Sequence, residues 1–409
     1  MKKLQKFAVI VLVVMMVAAL AAPALAAGRN YTAISGGIVK VEKYLVMETT
    51  ARTPAVTFTF TAAPGTAKAA TETKLAVRAG NDSAVTGTPV VGTAVFTANQ
   101  QTFTSVQTLP ADTGTKTATQ TNDPVTLTTG QQYARSAFTV DFSNVKFAEP
   151  GVYRWVLTEA ANAAAAGMGI TNDADATRVL DVYVIDNNGT LQVEGYVLHN
   201  DDAFQPNVSG TAAEPSGGKA KGYINNFETE DLTISKTVAG NQGSKDQYFK
   251  FTVTLGDLGS GTVIPVNLSN ADATTLTNAA SPTAHTNPTT LTANASGTVT
   301  QEFWMQHGQS IVLTGLPKNA SYTVVEDNVD YAVSTSVKEG TGAAVAGTTA
   351  TVTDADITAD TTVAYTNTKA GVIPTGVMLA VAPFVGVVAL GGVGIAAVAA
   401  KNRKKRDEK

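Results

Sequence analysis

The 409-residue sequence predicts an all-β chain of two β-sandwiches in tandem, and three observations carry that reading. Its central region consists of short alternating runs rich in Thr, Val and Ala, broken by Gly, Pro, Asn and Asp, which is the period-two signature of half-buried strands. The same run order occurs twice. The length suits two domains of ordinary size once targeting segments are set aside at the ends.

The first element is such a segment. Lys2, Lys3 and Lys6 precede an apolar run from Phe7 to Ala22, and Ala24-Leu25-Ala26 supplies a small-x-small cleavage site. Residues 1–26 therefore read as a secretory signal peptide, too short and too closely followed by small residues for a membrane span. The first sandwich is expected over 27–228. It opens on Val39-Lys40-Val41-Glu42-Lys43-Tyr44-Leu45, continues through Val56-Thr57-Phe58-Thr59-Phe60 and Gly151 to Glu159, and ends at Tyr223-Ile224-Asn225-Asn226-Phe227. The second, over 229–369, repeats this with Leu232 to Lys236, Phe249 to Val253, Ser321 to Glu326, and Val363 to Asn367. Extra length between Ala62 and Asp123 reads as loops with added strands, while Ala212–Gly218 and the low-complexity Thr277–Ser296 read as loops. Residues 370–376 form a linker and motif. Val377–Ala400 is apolar throughout and long enough to span a bilayer, and the basic tail 401–409 behind it marks the cytoplasmic side.

Composition excludes several chemistries. With no cysteine there are no disulfides, thiolate metal sites or thiol nucleophiles. His199, His285 and His307 stand far apart, so neither a histidine metal site nor a histidine-based triad can be assembled, and no cofactor is implied. Asp173 and Asp175, or Asp354 and Asp356, read as solvated turns, since no further oxygen ligands follow in order. Between the signal peptide and Thr375 the chain keeps 20 basic against 31 acidic residues, about −11 net, which repels nucleic acid.

Both copies carry Lys, Glu and Asn in the same order, at Lys43, Glu159 and Asn225 and at Lys236, Glu326 and Asn367. Strand parity tells which way each points. Lys43 shares parity with Val39, Val41 and Leu45, and Lys236 with Leu232, Ile234 and Val238. Glu159 follows Trp155 and Leu157, Glu326 follows Tyr322 and Val324, Asn225 lies between Tyr223 and Phe227, and Asn367 follows Val363 and Tyr365. All six are predicted to point into a core, whereas Asn226 has the opposite parity. Burial neutralises such groups, leaving an amine able to attack and a carboxylic acid able to hydrogen-bond the amide oxygen and shuttle protons as ammonia leaves. The plainer alternative is a buried ion pair with a hydrogen-bonded neighbour, the commoner fate of one such set taken alone. Two sets in one cysteine-free exported chain favour a Lys-Asn amide bond in each domain.

These segments, with Ile373, Pro374, Thr375 and Gly376 before the apolar run, resemble the T-antigen-type shaft pilins of Gram-positive bacteria. The resemblance covers nearly the whole chain. It implies two immunoglobulin-like β-sandwich domains, internal bonds from Lys43 to Asn225 and from Lys236 to Asn367, and Glu159 and Glu326 as their catalysts. It also implies a sortase that cuts after Thr375 and passes its acyl group to a lysine of an identical subunit. Lys219 is the first candidate acceptor and Lys221 the second, both standing a few residues before the first domain's last strand. Leu316-Pro317-Lys318-Asn319 imitates another pilin motif but reads as a hairpin turn before Tyr322. Tip and base pilins, the membrane before sorting and peptidoglycan after it are the further partners implied, with the product a secreted, wall-attached surface fibre. The chain would then be a structural subunit whose only catalysis is its own single-turnover bond formation. A monomeric wall-anchored adhesin is the alternative. A secreted hydrolase is disfavoured, because no nucleophile, base and orienting partner can be brought together.

Overall fold

A computed structural model describes residues 32–34, 36–108, 122–208, 219–269, 276–278, 281–327 and 330–371. The expected signal peptide, the Ala212–Gly218 loop, the Ile373–Gly376 motif, the apolar span and the basic tail lie outside the described residues. Among those described, no helix is long and apolar enough to cross a membrane.

The fold is almost entirely β, as the alternating runs predict. In the N-terminal unit one sheet takes β1 (Ile38–Glu48), which pairs antiparallel with β3 (Gln131–Asp141). The facing sheet holds β2 (Val56–Pro64) antiparallel to β4 (Gly151–Glu159), followed outward by β6 (Thr177–Asn187) and β7 (Thr190–His199). Between β4 and β6 come the short helix α1 (Ala163–Gly167), capped by the Asn162 side chain, and β5 (Ile170–Thr171). The last strand, β8 (Tyr223–Phe227), returns to lie parallel to β1.

The C-terminal unit repeats the plan. Its first strand, β9 (Thr229–Ala239), and its last, β17 (Thr361–Thr368), are again parallel neighbours. In that sheet β11 (Val263–Ser269), β13 (Ser310–Pro317), β9, β17 and β15 (Ala332–Glu339) run in spatial order. The facing sheet is β12 (Val299–Met305), β10 (Phe249–Gly256), β14 (Ser321–Asp327) and β16 (Thr351–Asp354). Parallel neighbours need a long crossover, so the first and last strands of each unit meet only after everything between them has folded.

Each sandwich buries its own apolar core. Phe58, Phe138, Trp155, Leu157 and Tyr223 lie in one, and Ile234, Phe251, Phe303, Tyr322 and Tyr365 in the other. Glu228 alone separates β8 from β9. The expected hairpin at Lys318 and Asn319 is instead a connection between facing sheets, since β13 and β14 do not pair; Lys318 Nζ lies 2.6 Å from Glu228 Oε2 and its N–H donates to the Glu228 carbonyl. Strands Val77–Ala79 and Thr93–Phe96 are among those added between Ala62 and Asp123. The low-complexity stretch departs from its expectation as a loop. It contains an antiparallel ribbon of Leu276–Asn278 with Ser281–His285, and Thr290–Thr292 pairs with β11. In the ribbon Asn, Ser and Pro read as turn residues and hid the strands, whereas Thr290-Leu291-Thr292 does alternate, with Leu291 buried.

Candidate functional site

The parallel pairing of first and last strands fixes where the six residues meet. In the N-terminal ladder Lys43 stands opposite Tyr223 and Leu45 opposite Asn225, so Lys43 and Asn225 share the core face two rungs apart. In the C-terminal ladder Lys236 stands opposite Tyr365 and Val238 opposite Asn367, the same offset. The glutamates come from the facing sheets, Glu159 opposite Phe60 and Glu326 opposite Phe251, again in matching positions. All six side chains are buried, as parity predicts.

Their contacts close the N-terminal triad on all three sides and join the C-terminal one through its acid. Lys43 Nζ lies 2.8 Å from Glu159 Oε2 and 2.5 Å from Asn225 Oδ1, and Asn225 Nδ2 donates to Glu159 Oε1 at 2.8 Å. In the other unit Lys236 Nζ donates to Glu326 Oε1, and Asn367 Nδ2 donates to the same oxygen at 3.0 Å. The expectation that each acid faces the amide oxygen needs correcting: both carboxyl groups face the amide nitrogen. For Asn225 the orientation follows from its second neighbour, since its Oδ1 accepts the backbone N–H of Asp173 at 2.8 Å and only an oxygen can do so.

Aromatic rings keep water from both amines. Lys43 Nζ is 4.7 Å from the Phe58 ring centroid and 5.6 Å from that of Tyr223, while Lys236 Nζ is 4.1 Å from Phe249 and 5.9 Å from Phe251. The tyrosine two residues before each asparagine on the last strand is pinned through its hydroxyl, Tyr223 to the Leu157 carbonyl and Tyr365 to that of Val324. Desolvation pushes Lys43 down to about 8, against the opposing charge of Glu159, and pushes Lys236 down to about 8 against Glu326. Burial raises the Glu326 carboxyl above its ordinary value, only partly offset by Lys236. Such a pair shares one proton between two reluctant ions, and the low dielectric favours the neutral amine beside the neutral acid.

Two residues of this site were not assigned to it from the sequence. Asp173, expected in a solvated turn, commits its carboxylate to the Ile224 N–H at 2.8 Å and to Arg178 Nη2 at 2.7 Å. Arg178 is buried, and its signal was available: on β6 it shares parity with Leu180, Val182 and Val184, all in the core. Asp354 and Asp356 do form a turn, with the Asp356 N–H on Asp354 Oδ1. Among the described residues no group of three His, Asp or Glu could hold a metal ion.

Lys219 and Lys221 are half-buried and stand apart from both triads. Lys219 bridges antiparallel to His199 at the end of β7, and the Ala220 N–H donates to the Leu198 carbonyl. After Lys221 the chain drops against β1 through Gly222 at φ +135°, where a Cβ would come within 2.2 Å of the Glu42 carbonyl oxygen. Arg154, buried on the outer face of its sheet, clamps Asp181 and donates to the carbonyls of Asp202 and Phe204, anchoring the segment that leads toward these lysines.

Comparison with known proteins agrees with this architecture. Residues 39–207 match the family described as a Spy0128-like isopeptide containing domain, and residues 230–369 match a domain of unknown function. A pilin of Streptococcus pyogenes serotype M1 is 28% identical over 265 residues, covering 62% of this chain and 68% of that protein. The crystal structure of the major pilin from Streptococcus pyogenes aligns with a TM-score of 0.50 at 18% identity, over 83% of this chain and all of that one. A single-site mutant of the same pilin gives 0.51 at 19% identity, over 82% of this chain and again all of that one. Residues 39–207 thus carry an isopeptide-type domain, and the chain resembles a pilin in sequence and the major pilin in fold.

Proposed function

We propose that this structural pilin subunit fuses the first and last strands of each of its two domains, 27–228 and 229–369, through Lys43–Asn225 and Lys236–Asn367 amide bonds. A sortase then joins Thr375 to a lysine of the next copy, Lys219 first and Lys221 second among the candidates, and the finished fibre is attached to peptidoglycan. The observation that carries the reading is the pair of triads, buried at one and the same ladder offset in two units of different sequence.

In the N-terminal unit the chemistry uses only groups already in contact. The neutral Lys43 amine attacks Asn225 Cγ, the Nζ–Cγ bond forms and the Cγ–Nδ2 bond breaks. Glu159 has one oxygen on the amine and the other on the amide nitrogen. It can therefore accept a proton from Nζ and deliver one to Nδ2, which departs as ammonia and leaves the acid as it began. Lys236, Glu326 and Asn367 perform the same exchange, with Glu326 Oε1 touching both nitrogens. An amide is a poor electrophile, so the enforced contact in a dry core has to supply most of the rate. The proposed bonds tie together residues 182 apart in the first unit, so tension entering one end crosses to the other without extending what lies between.

Assembly is tested by expressing the chain with its sortase in a Gram-positive host and resolving wall extracts in hot sodium dodecyl sulfate. Wild type should give a ladder, and Thr375→Ala only monomer. The Lys219→Ala, Lys221→Ala pair should also give only monomer. A persisting ladder in that pair would move the acceptor elsewhere, and monomer alone from wild type would reject polymerisation.

A further inference from the structure

Among the differences between the two triads, one lies at the amide oxygen on which negative charge would gather. Strand β5 pairs Ile170 with Phe227 and Thr171 with Asn226, and continuing that register would set Asn172 opposite Asn225. Instead the strand ends at Thr171, and the freed Asp173 N–H turns onto Asn225 Oδ1 at 2.8 Å. A short brace holds it there. The Asp173 carboxylate accepts from the Ile224 N–H and from Arg178 Nη2. Arg178 in turn donates to the carbonyls of Gly222, Asp175 and Thr177, with its guanidinium 4.8 Å from the Tyr223 ring centroid. In the C-terminal unit β15 stays in the ladder past the asparagine, with Val333 opposite Asn367. Asn367 Oδ1 is buried there with no hydrogen-bond partner among the described residues.

We propose that the Asp173 backbone N–H is an oxyanion donor for bond formation at Asn225, with Arg178 as its positioning residue, and that the C-terminal site reacts without such a donor. The inference rests on the Lys-Asn bonds proposed above. As Nζ bonds to Cγ, the carbonyl π pair moves onto Oδ1. That oxygen is stabilised by the N–H until the pair returns, the Cγ–Nδ2 bond breaks and ammonia leaves with the proton relayed by Glu159. A preorganised donor aimed at a developing oxyanion accelerates acyl chemistry by about 100-fold to 1,000-fold where one has been removed in enzymes.

The test follows both bonds in the full chain during cell-free translation. Aliquots are quenched in acid and digested, and the two cross-linked peptides are quantified by mass spectrometry. The C-terminal bond of each chain serves as the internal clock. Incorporating the α-hydroxy analogue of aspartate at position 173 changes only that N–H to an ester oxygen. It should slow the Lys43–Asn225 bond about tenfold or more relative to the clock, while the bond still goes to completion. Arg178→Met should slow it in the same direction and Arg178→Lys should restore part of the rate. An unchanged rate ratio in the ester variant would overturn the proposal, whatever Arg178→Met does to folding. Absence of both cross-linked peptides in wild type would instead remove the bond reading itself.

Discussion

The N-terminal and C-terminal sandwiches share almost nothing in loop length, yet they bring the same three groups together by the same route. Lysine and asparagine sit two rungs apart on parallel first and last strands, and the glutamate crosses from the facing sheet. Around this frame the surroundings diverge. Lys43 and Asn225 lie under Asp173 and Arg178, whereas Asn367 Oδ1 and Glu326 Oε2 have no hydrogen-bond partner among the described residues. The ladder therefore determines which atoms meet, and the segment beside the last strand determines how their charge is handled.

Pulling on the two ends should separate the units most sharply. Wild type is expected to lengthen only through segments outside the two bonds. Glu159→Ala should release the 182 residues between Lys43 and Asn225, a gain of roughly 600 Å at full extension. Glu326→Ala should release the shorter span of its own unit, roughly 400 Å from separations of 90 and 41 residues. Single-molecule force-extension curves read both, and equal lengthening in the two variants would break the assignment.

Heat gives the next largest contrast. Closing loops of this length is worth about 4 to 5 kcal/mol each on the chain-entropy estimate. Asn225→Ala and Asn367→Ala should therefore each lower the melting temperature of their own domain by about 10 to 20 °C in calorimetry. The longer N-terminal loop should lose only a few tenths of a kcal/mol more.

Acidity sharpens the C-terminal half of the comparison. Bond formation there needs one proton shared by Lys236 and Glu326. Below the raised Glu326 value both groups are protonated and the amine is blocked. Above about 8 the amine is free but the acid has lost the proton destined for ammonia. Rates from quenched translation should be flat between those limits and fall on either side. The smallest effect belongs to the tyrosine hydroxyls. Tyr223→Phe and Tyr365→Phe each leave one buried carbonyl short of a donor, costing about 1 to 3 kcal/mol in urea titrations without preventing either bond.

Much of this was legible in the sequence because a strand has a period of two. The residues flanking Lys43, Lys236, Asn225 and Asn367 reveal the buried face without any tertiary information, and repetition in one order suggested a shared site. The parallel pairing that converts six inward residues into two triads is a long-range property that no local pattern encodes. The Asp173 N–H was illegible for a different reason: it is a backbone group, directed by where β5 leaves its ladder, and backbone donors have no residue type. Arg178 could have been found by the parity test applied to β6, but no matching residue in the second copy drew attention to it. The Leu276–His285 ribbon was hidden because its Asn, Ser and Pro read as turn residues.

The most direct measurement is the intact mass of purified residues 27–375, produced without sortase. Two self-formed bonds require the chain to weigh less than its sequence by two molecules of ammonia, with Glu159→Ala and Glu326→Ala each giving back one. A mass equal to that of the sequence would show two unreacted ion pairs inside the sandwiches and contradict the self-bonded subunit.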